Sequence, residues 1–221
     1  MMPLNIRSAI ILLALISISA FVWIATFTGA DISKPFEVFT VASKVVTIDT
    51  TLALVFLLWA WKWPMFRWGG WLVPYPNLNG TWTGYIYSDW QNENGDKTPP
   101  IPVMMTIKQS FLKLSCVMRT GEMRSDSYCS TFKIDGSEQI KKLIYVYNSQ
   151  PRPSVRGRSE CHEGAIVFEI VEKPEVKLKG QYWTARKTTG EIILDYHGKE
   201  ILDDFPRDFE DHPVTEPENQ R

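Results

Sequence analysis

Residues 77–90 read NLNGTWTGYIYSDW, and apolar and polar side chains alternate along the second half of this stretch. A period of two places successive side chains on opposite faces of a β-strand. The pattern predicts a strand over residues 81–88, with Trp82, Gly84 and Ile86 sharing one face. The rest of the chain shows whether this strand stands alone or begins a sheet.

Seven further alternating segments follow, separated by turn residues at short intervals. They are predicted at residues 103–109, 112–118, 124–134, 139–148, 160–172, 176–187 and 192–197. Eight strands joined as hairpins can close into a small barrel, and closure removes the exposed edges of an open sheet. A Gly-X-Trp triplet at the start of a strand, here Gly80 to Trp82, is typical of such barrels. We predict an all-β, eight-stranded antiparallel up-and-down barrel, with a β-sandwich as the alternative.

Two apolar segments precede the strands, and each has the character of a membrane span. Residues 8–30 contain no charged side chain over 23 positions, which is long enough for a helix to cross a hydrocarbon core of about 30 Å. Residues 45–61 form a shorter segment that contains Asp49. We predict two N-terminal transmembrane α-helices, with a cleaved signal peptide as the alternative for the first segment.

The charges beside these segments indicate an orientation. Arg7 precedes the first segment, and Lys62 and Arg67 follow the second within a border rich in tryptophan. Tryptophan favours the headgroup layer, and Lys and Arg are enriched on the cytoplasmic side. We therefore expect a multi-pass protein with both termini on the cytoplasmic side.

Asp49 interrupts the second segment and has two interpretations. Near the outer end of the span, one turn after Lys44, headgroups and water can hydrate its carboxylate. Deeper in the bilayer it would face other helices and take part in transmembrane assembly, with Thr47, Thr50 and Thr51 beside it. The sequence leaves both interpretations open.

The chain divides by composition into four parts. We predict a two-helix transmembrane region over residues 1–68, a linker over 69–76, a cytoplasmic ligand-binding barrel over 77–202 and a tail over 203–221. The tail has seven acidic and two basic residues, and with little apolar content it is expected to be mostly disordered. No basic stripe indicates a long nucleic acid as a partner.

The sequence contains no catalytic or metal-binding pattern. Neither a nucleophile elbow, a His-Glu-X-X-His motif nor a Walker motif is present. The three cysteines have no regular spacing, and no second ligand pair accompanies Cys161 and His162 at a zinc-like distance. We predict a binding protein that is not an enzyme and needs no cofactor or metal.

The seventh predicted strand provides the leading candidates for a ligand site. Alternation places Val176, Leu178, Gly180, Tyr182, Thr184 and Arg186 on one face. Apolar walls that end in a few polar groups are typical of a ligand pocket. Arg186 could bind a phosphate group, or it could stack on Trp82 and close one end of the barrel through a cation–π contact.

Four further residues are candidate ligand contacts. Arg156 and Arg158 follow the fifth predicted strand, where their guanidinium groups could bind phosphate or remain solvated. Tyr85 and Tyr145 could stack on nucleobases or pack inside the barrel.

The order of these features resembles one family. Two N-terminal spans, a linker rich in Trp and Pro, and residues 76–84 (PNLNGTWTG) are similar to the two-transmembrane β-barrel effectors of bacterial cyclic-oligonucleotide anti-phage signalling systems (CBASS). Residues 180–192 (GQYWTARKTTGEI) are similar to that family as well. The resemblance implies a minimal lipocalin-like barrel that binds a cyclic dinucleotide made by a cognate nucleotidyltransferase.

The resemblance also implies an antiviral action. On ligand binding, the transmembrane helices would oligomerise with further copies of the chain and disrupt the bacterial inner membrane, a form of abortive infection. The expected partners are the cyclic dinucleotide, the chain itself and the lipid bilayer. One alternative is a membrane-anchored lipocalin-like carrier of a lipid or another hydrophobic ligand, and a weaker one is a structural partner of another membrane protein through Asp49.

Overall fold

A computed structural model of the chain describes residues 6–91, 94–157 and 159–205. Two compact units form within it. One unit contains the chain up to residue 76 together with Ser110–Leu112, and the other contains residues 77–109 and the chain from 113 onward.

Two long helices, α1 (Ile6–Thr28) and α2 (Pro35–Leu58), form an antiparallel pair in the first unit. Ile24 of α1 packs against Val41 and Val45 of α2, while most of the other large apolar side chains of both helices are exposed. By length and composition both helices could cross a membrane, and the prediction of two apolar N-terminal helices is confirmed. α2 begins at Pro35 rather than at Val45, because proline is well suited to the first position of a helix.

The structure divides the polar residues of α2 between two faces. Asp49 faces α1, where its Oδ2 accepts a hydrogen bond from Ser17 Oγ at 2.7 Å. Its Oδ1 is buried and has no hydrogen-bond partner in the described part of the chain. Thr47 and Thr51 are exposed and donate to carbonyls of their own helix. Successive helical residues are about 100° apart, so Thr47 points away from the side marked by buried Val45.

The chain after α2 continues as a 3-10 turn (Ala60–Lys62), the short helix α3 (Pro64–Arg67) and a second 3-10 turn (Trp68–Gly70). Trp61 is fully buried, and its ring centre lies 5.9 Å from that of Tyr75 and 6.2 Å from that of Phe111 in the same unit. An aromatic cluster therefore fixes the fold of this segment.

The second unit is a closed barrel in which every strand pairs antiparallel with its neighbours and the last strand pairs with the first. The strands are β1 (Gly80–Ser88), β2 (Ile101–Gln109), β3 (Leu114–Thr120), β4 (Met123–Asp135), β5 (Ile140–Pro151), β6 (His162–Val171), β7 (Lys177–Thr184) and β8 (Thr189–Gly198). The predicted barrel is confirmed, and the β-sandwich is wrong. The predicted seventh strand was too long, because the chain turns after Thr184.

One end of the barrel is filled by large side chains. Trp82, Phe168, Leu178 and Leu194 point inward there and are almost completely buried. Trp82 Nε1 donates to the Leu78 carbonyl at 3.1 Å, and its ring forms an edge contact with Tyr196 at 5.0 Å. The tryptophan of the opening stretch therefore lies in the packed end of the barrel.

Gly80 occupies a position that a larger residue could fill only with strain. Its φ is +135°, and a Cβ atom there would lie 2.2 Å from the Gly198 carbonyl oxygen. We expect Gly80→Ala to lower the free energy of unfolding by about 1–3 kcal/mol. The measurement is urea unfolding of the full chain in detergent, followed by circular dichroism.

Gly136 provides the matched control, because a Cβ atom at this position meets no atom within 4 Å. Gly136→Ala should change the free energy of unfolding by no more than about 0.5 kcal/mol. Equal unfolding midpoints for the two variants would show that Gly80 does not constrain the start of β1.

Candidate ligand-binding site

The other end of the barrel contains a cavity of about 580 Å³, a volume within the range of small-molecule sites. Its wall combines apolar and aromatic side chains with hydroxyl residues. The hydroxyl residues are Ser88, Thr120, Ser125, Ser149, Ser159 and Thr184. The cavity therefore combines open volume with hydrogen-bonding groups on its wall.

Arg186 lines this cavity from the turn that joins β7 to β8. Its Nη1 donates to Ser159 Oγ at 3.4 Å. The turn is fixed by a hydrogen bond from Thr184 N to the Thr188 carbonyl at 3.0 Å, and by one from Ala185 N to the Glu163 carbonyl of β6 at 2.8 Å. Among the residues described, Arg186 is the one arginine on the cavity wall, so its guanidinium is the strongest candidate group for binding an anion.

The cation–π interpretation of Arg186 is wrong. Trp82 packs against Tyr196 near the start of β1, whereas Arg186 follows the end of β7, where Tyr182 pairs with Gly190. The two side chains thus belong to opposite ends of the barrel. β7 runs in the same direction as β1, so a residue after the end of β7 lies far from the start of β1.

His162 and Tyr147 form a second polar group on the wall, with ring centres 6.5 Å apart. Burial lowers the pKa of His162, and the positive charge of Arg186 lowers it further. The hydrogen bond from Nδ1 to the Glu160 carbonyl raises this pKa but does not offset the lowering. Burial also raises the pKa of Tyr147 to about 12. Near neutral pH the cavity therefore contains a neutral imidazole and a neutral phenol beside one guanidinium.

The structure brings together three of the predicted ligand residues. Tyr182, Thr184 and Arg186 all line the cavity, and the Tyr182 hydroxyl donates to Ser88 Oγ at 3.1 Å. Their contact with a ligand stays a prediction, but alternation along β7 places Tyr182 and Thr184 on one wall, and the following turn adds Arg186.

Tyr85, Tyr145 and Arg156, which were also predicted to contact a ligand, do not line this cavity. Tyr145 points inward but is buried in the core, with its hydroxyl 3.6 Å from Met105 Sδ. Tyr85 lies between the inward Gly84 and Ile86 and so faces outward. Arg156 is exposed in the connection from β5 to β6, and Arg158 is outside the described residues.

The sequence interpretation missed His162 and most of the hydroxyl residues as parts of one site. The sequence contained a usable signal, because Tyr147 and Ser149 continue the inward face that begins with the buried Leu143 and Tyr145 on β5. Alternation was used to orient only one strand toward a ligand. Applying it to β4, β5 and β6 would have found the remaining wall.

Together these features define a closed β-barrel that can receive a small ligand bearing negative charge. A family model described as Cap15, cyclic dinucleotide receptor domain, matches residues 73–195, which is more than half of the chain. The chain therefore belongs to this family, and the predicted resemblance to CBASS effectors is confirmed. The match covers β1 to β7 and most of β8, and with them the cavity.

A curated relative agrees with this assignment. The chain is 27% identical over 157 residues to CD-NTase-associated protein 15 of Staphylococcus schleiferi, across 70% of this chain and 78% of that protein. Sequence similarity therefore extends beyond the residues that match the family model.

The lowered pKa of His162 leads to a prediction about pH. A bound phosphodiester favours the imidazolium form and raises this pKa, so binding takes up a proton. Affinity for a cyclic dinucleotide should therefore rise as pH falls from about 8 and level off below the pKa of the free protein. Calorimetric titration of the full chain in detergent over this range measures the effect.

His162→Gln should remove this dependence, whereas His197→Gln on the exposed part of β8 should keep it. If the variant at position 162 retains the full dependence, another group takes up the proton and His162 does not contact the phosphate.

Proposed function

We propose that this CBASS effector binds one cyclic dinucleotide in the barrel cavity and then disrupts the bacterial inner membrane through oligomerisation of α1 and α2. Both termini would lie in the cytoplasm, where a cognate nucleotidyltransferase makes the ligand. The observation that carries the proposal is the cavity itself, with Arg186, His162 and a set of hydroxyl groups in a chain that also contains two long apolar helices. In this proposal the chain is a receptor and not an enzyme.

The cavity wall offers different groups to different parts of the ligand. Arg186 and the nearby Ser159 hydroxyl suit a phosphodiester, because guanidinium and hydroxyl donors both bind phosphate oxygens. Tyr147, Tyr182 and Trp90 offer aromatic faces to the bases. Glu122 lines the same cavity, and its negative charge disfavours a phosphate beside it, so we place a phosphate on the Arg186 side.

Arg186→Ala tests the site. A hydrogen bond to a charged group contributes about 1.5–3 kcal/mol, so affinity for the cyclic dinucleotide should fall roughly 10- to 150-fold. The chain should remain folded, because Arg186 lies in a turn and not in the core. Calorimetric titration and thermal unfolding measure the two quantities.

Arg156→Ala is the matched control, since this arginine is exposed and does not line the cavity. Its affinity should equal that of the unaltered chain. If the unaltered chain, Arg186→Ala and Arg156→Ala all bind the cyclic dinucleotide with equal affinity, Arg186 does not contact its phosphate.

The membrane part of the proposal assigns a role to Asp49. A carboxyl group inside a bilayer is costly unless it is paired, and Asp49 is bonded to Ser17 through one oxygen alone. We propose that the assembled state satisfies the second oxygen through a group from another copy of the chain. Such polar contacts are known to promote association of transmembrane helices.

Dye release from vesicles tests this step. The full chain reconstituted around a trapped fluorophore should release it when a cyclic dinucleotide is added and retain it without ligand. Asp49→Leu should abolish release while ligand affinity stays unchanged, because the substitution removes the polar contact between helices. Persistent release from this variant would contradict the role of Asp49.

Thr47→Val is the control, because Thr47 is exposed on the other face of α2 and bonds only to its own helix. It should release dye as the unaltered chain does. If saturating ligand releases no dye from vesicles containing the unaltered chain, membrane disruption is wrong even though the receptor assignment stands.

The carrier hypothesis makes a different prediction. Ile86, Ile101, Ile166 and Ile192 give the cavity an apolar wall, which could also receive a lipid tail. Mass spectrometry of small molecules extracted from the purified chain distinguishes the two functions. A carrier should release a lipid, whereas a receptor should release a nucleotide.

A further inference from the structure

The segment after α2 folds into a compact aromatic unit, which we name the tryptophan cap (residues 59–71). Trp71 Nε1 donates to the Met65 carbonyl at 2.9 Å and so joins the end of the second 3-10 turn to α3. The rings of Trp59 and Trp63 meet edge to face at 5.1 Å. The tryptophan cap is therefore a folded structure with defined side-chain positions.

The tryptophan cap presents an apolar surface outward. Its exposed large side chains are Trp59, Trp63, Met65, Trp68 and Trp71, of which Trp68 is 85% exposed. This surface adjoins the end of α2, where Leu58 is also exposed. Indole has an apolar body and a polar N–H edge, and it therefore favours the boundary between hydrocarbon and water.

The tryptophan cap is also positively charged. It contains Lys62 and Arg67, and no Asp or Glu occurs between Asp49 and Asp89. Neither cation forms a salt bridge within the described parts of the chain. Lys62 Nζ lies 5.7 Å from the centre of the Trp61 ring, so a cation is held beside the aromatic cluster without a neutralising carboxylate.

The opposite end of the helical pair has a different charge pattern. There Lys34 forms ion pairs with Asp31 and Glu37, with N–O distances of 3.4 and 3.2 Å. At the tryptophan cap end, Arg7 near the start of α1 adds a third cation, since the helices are antiparallel. Among the described residues, Lys44 partway along α2 also forms no salt bridge, so the two ends differ in that the cation at Lys34 is paired with acid whereas Lys62, Arg67 and Arg7 are not.

We propose that the tryptophan cap is a binding site for the phosphate headgroups of anionic phospholipids. The indole rings would lie at headgroup depth, with Lys62 and Arg67 against the lipid phosphates. A second copy of the chain is a poorer occupant, because it would bring the same positive charges to the surface and repel. The inference requires that α1 and α2 cross a bilayer, but not that the barrel is occupied.

Quenching of tryptophan fluorescence by brominated lipids tests this site. The full chain is reconstituted in phosphatidylcholine bilayers that contain brominated phosphatidylglycerol or brominated phosphatidylcholine, without any nucleotide. Each cation near an anionic surface favours binding by about fivefold. With Lys62 and Arg67 together, the anionic lipid should therefore bind roughly 25-fold more strongly than the neutral one, and the preference should decline with added salt.

Lys62→Gln and Arg67→Gln should each lower the preference about fivefold, and the double variant should lower it roughly 25-fold. All tryptophans remain in these variants, so fluorescence from the rest of the chain is a constant background. Lys34→Gln is the control, because Lys34 is already paired with two carboxylates, and it should keep the preference.

Two results would overturn the proposal. One is an equal affinity of the unaltered chain for the two lipids, or a preference in the double variant that equals that of the unaltered chain. The other is weak quenching by both lipids that increases as the protein is diluted in lipid, which would assign the surface to contacts between copies. Because no nucleotide and no dye release enter the experiment, either result leaves the proposed receptor function intact.

Discussion

The pairing of β1 with β8 is the interaction on which the barrel depends. The register runs from Trp82 opposite Tyr196 to Ser88 opposite Gly190, with an irregularity between Thr81 and Trp82. The strands approach so closely that a Cβ atom at Gly84 would lie 1.9 Å from the Ile193 carbonyl oxygen. Without this pairing β1 and β8 would be free edges, and the inward face would no longer enclose a volume.

Closure of the barrel gives the inward-facing side chains two different environments, a packed end and a cavity. Every second side chain points inward, but the size of these side chains differs along the barrel axis. On β5, Leu143 and Tyr145 fill the packed end, whereas Ser149 lies at the cavity. A buried hydroxyl is costly unless it is bonded, and Ser149 accepts a hydrogen bond from Ser125 Oγ at 2.9 Å. A polar cavity is thus compatible with a stable barrel because neighbouring strands satisfy some of its groups.

The sequence predicted the strands well because their period is a local property. It predicted the cavity less well, because depth along the barrel axis depends on how all eight strands are staggered. Tyr145 and Tyr147 show the difference: both point inward, two residues apart, yet only Tyr147 lines the cavity. Arg186 shows another limit, since its alternation with Thr184 predicts a longer strand, whereas pairing of Thr184 with Thr188 turns the chain.

The sequence predicted that two apolar helices exist, but it did not predict where α2 begins or which of its polar residues face α1. Hydropathy identified the apolar part of α2 but missed its polar beginning, where Pro35 and Glu37 start the helix. It also grouped Asp49 with Thr47 and Thr51 because they are neighbours in sequence. The structure separates them, because packing of Val45 against α1 turns Asp49 inward and leaves both threonines exposed.

This separation bears on the energetics of the proposed switch. A hydrogen bond between transmembrane helices contributes about 0.6 kcal/mol on average and up to about 1.7 kcal/mol, so the bond from Ser17 to Asp49 is a weak restraint on the resting pair. Shifting a two-state equilibrium almost completely requires a difference of about 5.5 kcal/mol in ligand affinity. A ligand that contacts Arg186 and several hydroxyls can supply contacts of that order, provided that they improve in the assembled state. In the proposed switch, this hydrogen bond therefore adds little to the free energy that ligand binding must supply.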